Sequence, residues 1–337
     1  MPLVRVATAD GRSGWGEGWS RDNETAPFHA RLAQAGRTLI GAAPRPEAVL
    51  AGLAGTSDWA EAAVASALDI ALWDLLGQAR GVPLHALLGG AARAAPVYAS
   101  GGLYADDQDH ARLGAELRLY VRLGFRAVKL KIGALGLADD LARVAAVRAA
   151  IGPDNAIIVD ALSRLPRDGM MRWVDGLAAL GVRMIQAPLP LGDAAGLAAI
   201  QRDGRLAVLA GETEFRPAVL EALGATGAVG VLQPNAALCG GLTGVLRLAR
   251  ATGLPVTPQC HGTAVLQAAS LHLGAGCDAV STVEFHMFHA HLHAALPPAM
   301  RQPVAGAMRL DDRPGLGLDT AALACDAVRE VVSLQEG

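Results

Sequence analysis

The chain has 337 residues, 52% hydrophobic, 18% charged and 4% aromatic, with 40 Gly, 18 Pro and a formal net charge of -3. That length predicts two domains, or one barrel-sized domain with an attachment; high aliphatic content and low net charge exclude a disordered chain, and no uninterrupted run of about 18 apolar residues offers a membrane span. The 29 basic and 32 acidic residues are well mixed, which leaves no cationic footprint for nucleic acid or an anionic membrane.

The opening stretch MPLVRVATADGRSG lacks a charged leader, an apolar core and a small-residue cleavage site, so it reads as a mature, cytoplasmic start. Residues 4–8, the turn Asp10-Gly11 and residues 14–19 read as a hairpin. Residues 57–76 read as a long helix, because Ala60, Val64, Ala67, Leu68, Ala71, Leu72 and Leu75 recur at three- and four-residue steps and form one apolar stripe. Residues 1–95 are therefore an α+β domain at the head of the chain.

From about residue 96 a short apolar run, a polar or Gly-containing break and a longer helical stretch alternate repeatedly. The strand candidates are residues 97–100, 127–132, 157–161, 184–187, 208–211, 229–233, 255–258 and 282–285, with helices such as 107–123, 138–150 and 241–252 between them. Eight β/α units over residues 96–304 suit a closed parallel (β/α) barrel of the α/β class. Residues 305–337, with Pro314-Gly315-Leu316-Gly317, lose this rhythm and are expected to return to the first domain. Cys239, Cys260, Cys277 and Cys325 form no CxxC pair, which argues for reduced thiols and against a structural zinc site.

Polar residues interrupt the strand C-termini in a regular way. Lys129 and Lys131 end the second strand, Asp160 the third and Gln186 the fourth; Glu212 follows the fifth, Asn235 the sixth and Gln259 the seventh, and Glu284 lies on the eighth. Successive separations from Lys131 are 29, 26, 26, 23, 24 and 25 residues, so these side chains ring one mouth of the barrel, where barrel enzymes keep their chemistry. One polar residue at a strand end is an ordinary solvated terminus. Seven at a near-constant step are not independent.

Residues i and i+2 of a strand share a face, so Lys129 and Lys131 both point into the mouth. Two ammonium groups that close disfavour each other's charge, and one of them is expected to be a neutral amine able to act as a base. Asp160, Gln186 and Glu212 converge from three adjacent strands as hard oxygen donors suited to Mg²⁺, a cation that stabilises the charge built on a carboxylate when its α-proton is removed.

Gly14-Trp15-Gly16-Glu17, the segment Ala67-Leu68-Asp69-Ile70-Ala71-Leu72-Trp73-Asp74, Leu87-Leu88-Gly89-Gly90, Val128-Lys129-Leu130-Lys131-Ile132-Gly133, Val159-Asp160-Ala161, Ala210-Gly211-Glu212, Cys239-Gly240-Gly241 and Pro314-Gly315-Leu316-Gly317 together resemble the mandelate racemase/muconate lactonizing enzyme branch of the enolase superfamily over essentially the whole chain. The resemblance implies a modified (β/α) TIM barrel with an α+β capping domain built from both termini. It also implies one Mg²⁺ and abstraction of a proton α to a carboxylate. Carried over by position, Lys131 resembles the base and Lys129 its modulator, Asp160 and Glu212 the first and third metal ligands, and Glu284 the acidic group on the eighth strand.

This chain departs from the pattern in several places. Gln186 stands where the family has its second metal-binding Glu, Asn235 where many members have the Asp that orients a catalytic His, and Leu162 where many carry an Asn. Gapless alignment puts Gln259 at the seventh-strand proton-transfer position, with His261 two residues on and higher in the mouth, so both are candidates there. The additional first strand and specificity loop usual before the hairpin are missing from the sequence. An amide cannot exchange the proton a two-base racemase needs, so dehydration of an acid sugar or hydroxy acid fits better than racemisation. The alternative is a catalytically reduced barrel that binds an acid ligand or serves as a structural subunit. The run His286, His289, His291 and His293 reads as a solvated or subunit-facing cluster rather than a zinc site. A small-molecule carboxylate is the expected partner, and a homo-oligomer the expected assembly.

Overall fold

The N-terminal apolar alternation pairs as an antiparallel hairpin, β1 (Leu3–Ala7) with β2 (Ser13–Glu17), in which Val4 lies opposite Gly16. The computed structural model describes residues 1–21, 24–41, 45–50, 56–107 and 109–323; Cys325 and the rest of the expected C-terminal return beyond residue 323 lie outside the described residues. After α1 (Ala26–Leu39) and α2 (Pro46–Leu50), the long helix α3 runs from Trp59 to Arg80. Asp58 caps it by accepting the Ala60 N–H at 2.9 Å, and Gly81 ends it at a φ of 67°.

The sequence predicts one apolar stripe on α3, yet burial extends almost all round its first four turns, because β2 packs on one side and a barrel helix on the other. The approach of β2 is the closer one: a Cβ at Gly16 would lie 1.8 Å from the Ala67 carbonyl oxygen, so only glycine fits. Two buried carboxylates fix the surroundings. Asp74 accepts the N–H groups of Trp15 at 2.9 Å and Leu316 at 2.8 Å, and Asp69 accepts the Thr243 N–H at 3.1 Å.

The barrel starts after α4 (Leu84–Leu87) with β3 (Ala94–Ser100) and α5 (His110–Arg122). It continues through β4 (Ala127–Lys131), α6 (Leu137–Ile151), β5 (Ala156–Asp160), α7 (Met170–Ala179), β6 (Met184–Gln186), α8 (Ala194–Asp203), β7 (Ala207–Ala210), α9 (Pro217–Ala225) and β8 (Val231–Leu232). The last units are α10 (Gly241–Thr252), α11 (Ala264–Gly276) and β9 (Val283–His286). Strands β3 to β8 pair in parallel in chain order, and β9 pairs back on β3, Val97 with Val283 and Ser100 with His286. The structure is thus a modified (β/α) barrel with an α+β cap.

The seventh strand departs from expectation. In place of a ladder over 255–258, single bridges join Leu232 to Val256 and Val256 to Val280. Pro234, Pro255 and Pro258 supply no N–H in this region, so pairing shrinks to isolated contacts, and the predicted strand 229–233 narrows to Val231–Leu232. Beyond the barrel, β10 (Ala307–Arg309) pairs antiparallel with the start of β3, and the Leu84 N–H donates to the Gly315 carbonyl at 2.9 Å.

Candidate active site

Register delivers the side chains. Lys131 pairs with Asp160 across β4 and β5, and Asp160 pairs with Gln186 across β5 and β6, so three polar residues stand side by side at the C-terminal rim. Glu212 arrives differently. The ladder neighbour of Gln186 is Leu209, and the chain reaches Glu212 by turning at Gly211, whose φ of 122° is open to glycine alone.

The charges meet at the barrel axis. Lys129, with 2% of its side chain exposed, lies 2.6 Å from Glu284 Oε1 and 3.3 Å from Asp160 Oδ2, and its Nζ donates to Gln186 Oε1 at 2.7 Å. Lys131 Nζ donates to the same Asp160 Oδ2 at 2.5 Å. The expectation that crowding leaves one lysine neutral is corrected for Lys129. Burial disfavours its charge, but Glu284 and Asp160 outweigh burial and hold its pKa above the ordinary lysine value. In return, although burial pushes the Glu284 carboxyl up, Lys129 and His286 pull it down to about 2. This leaves Lys131 as the outer, partly exposed nitrogen of the pair.

Whether the oxygen donors suit a cation can be judged at Glu212. Burial, and then the like charge of Asp160, push its carboxyl above the ordinary range, with Lys129 and Gln186 only partly offsetting them. Added positive charge between Asp160 and Glu212 would relieve both causes, and two carboxylates with an amide carbonyl are a donor set that a hard divalent cation accepts. No set of three or more His, Cys, Asp or Glu side chains is placed to hold a metal among the described residues, so a cation there depends on Gln186 as its third protein ligand.

The amides at the sixth and seventh strands form a unit of their own. Asn235 Nδ2 donates to Gln259 Oε1 at 3.0 Å, and Asn235 Oδ1 accepts the Ala237 N–H at 2.9 Å. Neither side chain carries a proton it can transfer near neutral pH. His261 lies beyond them at the mouth, where its ring meets His286 and His289 at centroid distances of 5.2 and 4.2 Å. Glu17 of β2 fixes this loop from the cap: its carboxylate accepts the Thr263 N–H at 2.9 Å, the Thr263 hydroxyl at 2.6 Å and the Leu266 N–H at 3.0 Å.

The histidine run is not solvated as expected. His286, His289 and His293 are buried and only His291 is exposed, because the chain after β9 folds into a short 3₁₀ helix, Met287–Leu292. Sequence reasoning also missed Tyr98 and Gln233. Gln233 Nε2 donates to the Tyr98 hydroxyl at 3.1 Å in the barrel interior, and the Lys129 ammonium lies 5.7 Å from the Tyr98 ring centre. Period-two alternation on β3 would have placed Tyr98 inward.

Residues 112–323 match the enolase C-terminal domain-like family, and residues 1–89 match the mandelate racemase/muconate lactonizing enzyme N-terminal domain. The chain is 32% identical to D-galactarolactone cycloisomerase of Agrobacterium fabrum, over 94% of this chain and 88% of that protein. It is 27% identical to arabinonate dehydratase of Saccharolobus solfataricus, over 75% and 68% of the two chains. Its fold superposes with a TM-score of 0.83 on a Streptomyces coelicolor racemase crystallised with bound magnesium, at 26% identity over 94% of this chain and 88% of that one.

Proposed function

The chain belongs to the mandelate racemase/muconate lactonizing enzyme family of the enolase superfamily, a lyase and racemase lineage, and from that premise we propose that it is a dehydratase of an acid sugar or hydroxy acid. The observation that carries the proposal is the contact of Lys131 with Asp160 at 2.5 Å in the same rim as Gln186 and Glu212. Lys131 is the outer nitrogen, and once deprotonated and released from this pair it accepts the proton α to the substrate carboxylate. Lys129, pinned by Glu284, stays cationic and supplies fixed positive charge beside the developing anion.

A single Mg²⁺ held by Asp160, Glu212 and the Gln186 carbonyl would supply Lewis-acid stabilisation of the substrate carboxylate. Because Asn235 and Gln259 cannot exchange protons, only one face of the α-carbon meets a base, which favours elimination of a β-substituent over racemisation. Relatives named as a cycloisomerase and a dehydratase of sugar acids support the substrate class, and the relatives' names give no support to a non-catalytic barrel. Three described cysteines are free, which supports a cytoplasmic setting, and a homo-oligomer belongs to the same proposal.

The test is proton exchange in D₂O with Mg²⁺, offering arabinonate, D-galactarolactone and other acid sugars. Loss of the α-proton signal that disappears in Lys131→Ala is the expected result. Exchange that persists in Lys131→Ala would remove the base from this assignment.

A further inference from the structure

The amide pair leaves the proposed elimination without an acid, and the acid has to come from elsewhere in the mouth. Three imidazoles stand there in mutual contact. His286 stacks on His289 at 4.6 Å with 24° between the planes, His289 meets His261 edge-on at 4.2 Å, and His261 meets His286 edge-on at 5.2 Å. His286 follows Glu284 by two residues on β9, so it shares the inward face of that carboxylate. His286 and His289 are buried, and the Nδ1 atom of each has no hydrogen-bond partner. Buried polar atoms in a folded protein are nearly always satisfied, so two unpaired ring nitrogens at one mouth call for a reason. His261 is the exposed member of the triangle, held in place through Gly262 and Thr263 by the Glu17 anchor.

We propose that His261, His286 and His289 work as one imidazole cluster, in which His261 gives a proton to the oxygen leaving the β-carbon of the substrate while His286 and His289 position it. This rests on the reading of the site as a Lys131-based eliminase. In the step, the α C–H bond breaks and its proton goes to the Lys131 amine. The freed electron pair forms a double bond to the β-carbon, and the β C–O bond breaks with its electrons on oxygen. The His261 N–H proton goes to that oxygen and water departs; the enol product then takes a solvent proton at the β-carbon and releases its hydroxyl proton to become a 2-keto acid, while Lys131 loses a proton to solvent and His261 regains one. Nothing is oxidised or reduced overall.

The surroundings suit this role. Burial holds His286 at about 3 against the opposing pull of Glu284, and burial followed by His261 and His291 holds His289 at about 4; partial desolvation of the His261 ring where it packs on these two lowers it as well. Glu284, Lys129, Lys131, His291, His293 and the N-terminal amine are the other charged or titratable groups that act on the cluster. A proton placed there is therefore given up readily, and the carboxylate of an arriving substrate helps to bring it in.

The experiment compares the unaltered protein with His261→Asn, His286→Gln and His289→Gln, with Mg²⁺ in D₂O, on the acid sugars that the unaltered protein turns over. Two rates are read on each sample: α-proton exchange, which needs Lys131, and formation of the keto acid, which needs the acid. In His261→Asn keto-acid formation should fall by about 10²- to 10⁴-fold, the usual worth of a general acid, while exchange persists and shows that the fold and base are intact. The two Gln variants should lower keto-acid formation by about tenfold through kcat with KM held, and added imidazole should restore part of the turnover of His261→Gly. Equal loss of both rates, or keto-acid formation that survives in His261→Asn, overturns the cluster and leaves Lys131 in place. Absence of exchange from the unaltered protein with every acid sugar overturns the base assignment and the cluster with it.

Discussion

Replacing Glu284 by Gln removes the carboxylate that holds Lys129 at the barrel axis, and the structure sets the size of the loss. The folded Glu284 carboxyl lies at about 2 against an ordinary 4.5, and at ~1.36 kcal/mol for each pH unit this corresponds to about 3 kcal/mol of stability. Breaking a buried ion pair by removing one partner costs about 3–5 kcal/mol in general. The lower end applies here, since Lys129 keeps Asp160 at 3.3 Å and Gln186 at 2.7 Å. A carboxyl depressed by folding contributes fully above its unfolded value near 4.5, and the contribution is lost as pH falls toward 2. Urea unfolding followed by far-ultraviolet circular dichroism should therefore show Glu284→Gln weaker by about 3 kcal/mol at pH 7, with the gap to the unaltered protein closing between pH 5 and pH 2. A gap under about 1 kcal/mol at pH 7, well below that range, or one as wide at pH 3 as at pH 7, would refute the ion-pair argument.

Three other outcomes are expected. Burial pushes Asp69 up to about 8, so stability present below its unfolded value near 3.8 is lost as pH rises toward 8; Asp69→Asn should flatten the stability profile by about 1 kcal/mol per pH unit between pH 5 and 8, and an unchanged slope in chemical denaturation would show that this carboxyl does not titrate. Leu162 follows Asp160 at a φ of 49° and is 45% exposed; Leu162→Asn should gain about 1 kcal/mol, since Asn tolerates the left-handed region, and a lowered melting temperature would count against stored strain. Gln186→Glu adds a third carboxylate to the donor set and should tighten Mg²⁺ by ~10-fold or more in calorimetric titration; an unchanged affinity would place the cation elsewhere.

Much of the barrel was legible because it rests on local chemistry repeated at one interval. Apolar runs ending in Lys131, Asp160 and Gln186 predicted neighbouring strands, and the register joins those residues directly. The seventh strand was less legible because apolar patterning at 255–258 says nothing about donors, and three prolines decide how it pairs. The charge state of Lys129 depends on Glu284, which reaches it only when β9 closes the barrel on β3. Spacing along β4 shows only that two lysines are near each other. The histidine run misled for a related reason: its alternation with small and apolar residues carries no helical face, and burial comes from a 3₁₀ turn folding back over the mouth. Glu17, Asp69 and Asp74 were visible as parts of motifs, but only packing shows that they tie the cap to the barrel and to the tail.

The three amides alter the charge of the mouth far more than its shape. Lys129 and Lys131 face Asp160, Glu212 and Glu284, so the rim is short of positive charge by one when both lysines are protonated, and by two when Lys131 is a free base. With carboxylates in place of Gln186 and Asn235 the deficit would grow by two more. A unit charge at roughly 6 Å is worth about 3 kcal/mol at an effective dielectric of ~20, enough to decide whether an anionic substrate enters willingly. Under the proposed reading, one divalent cation neutralises the rim of this chain when Lys131 is a free base, and the incoming carboxylate meets no surplus of negative charge. The same neutrality weakens the hold on the cation, and it removes the carboxylate that would have raised the proton affinity of a seventh-strand base. A site balanced in this way binds its acid readily and, under the proposed reading, takes its proton from beyond the amide pair at His261, against which the imidazoles of His286 and His289 pack.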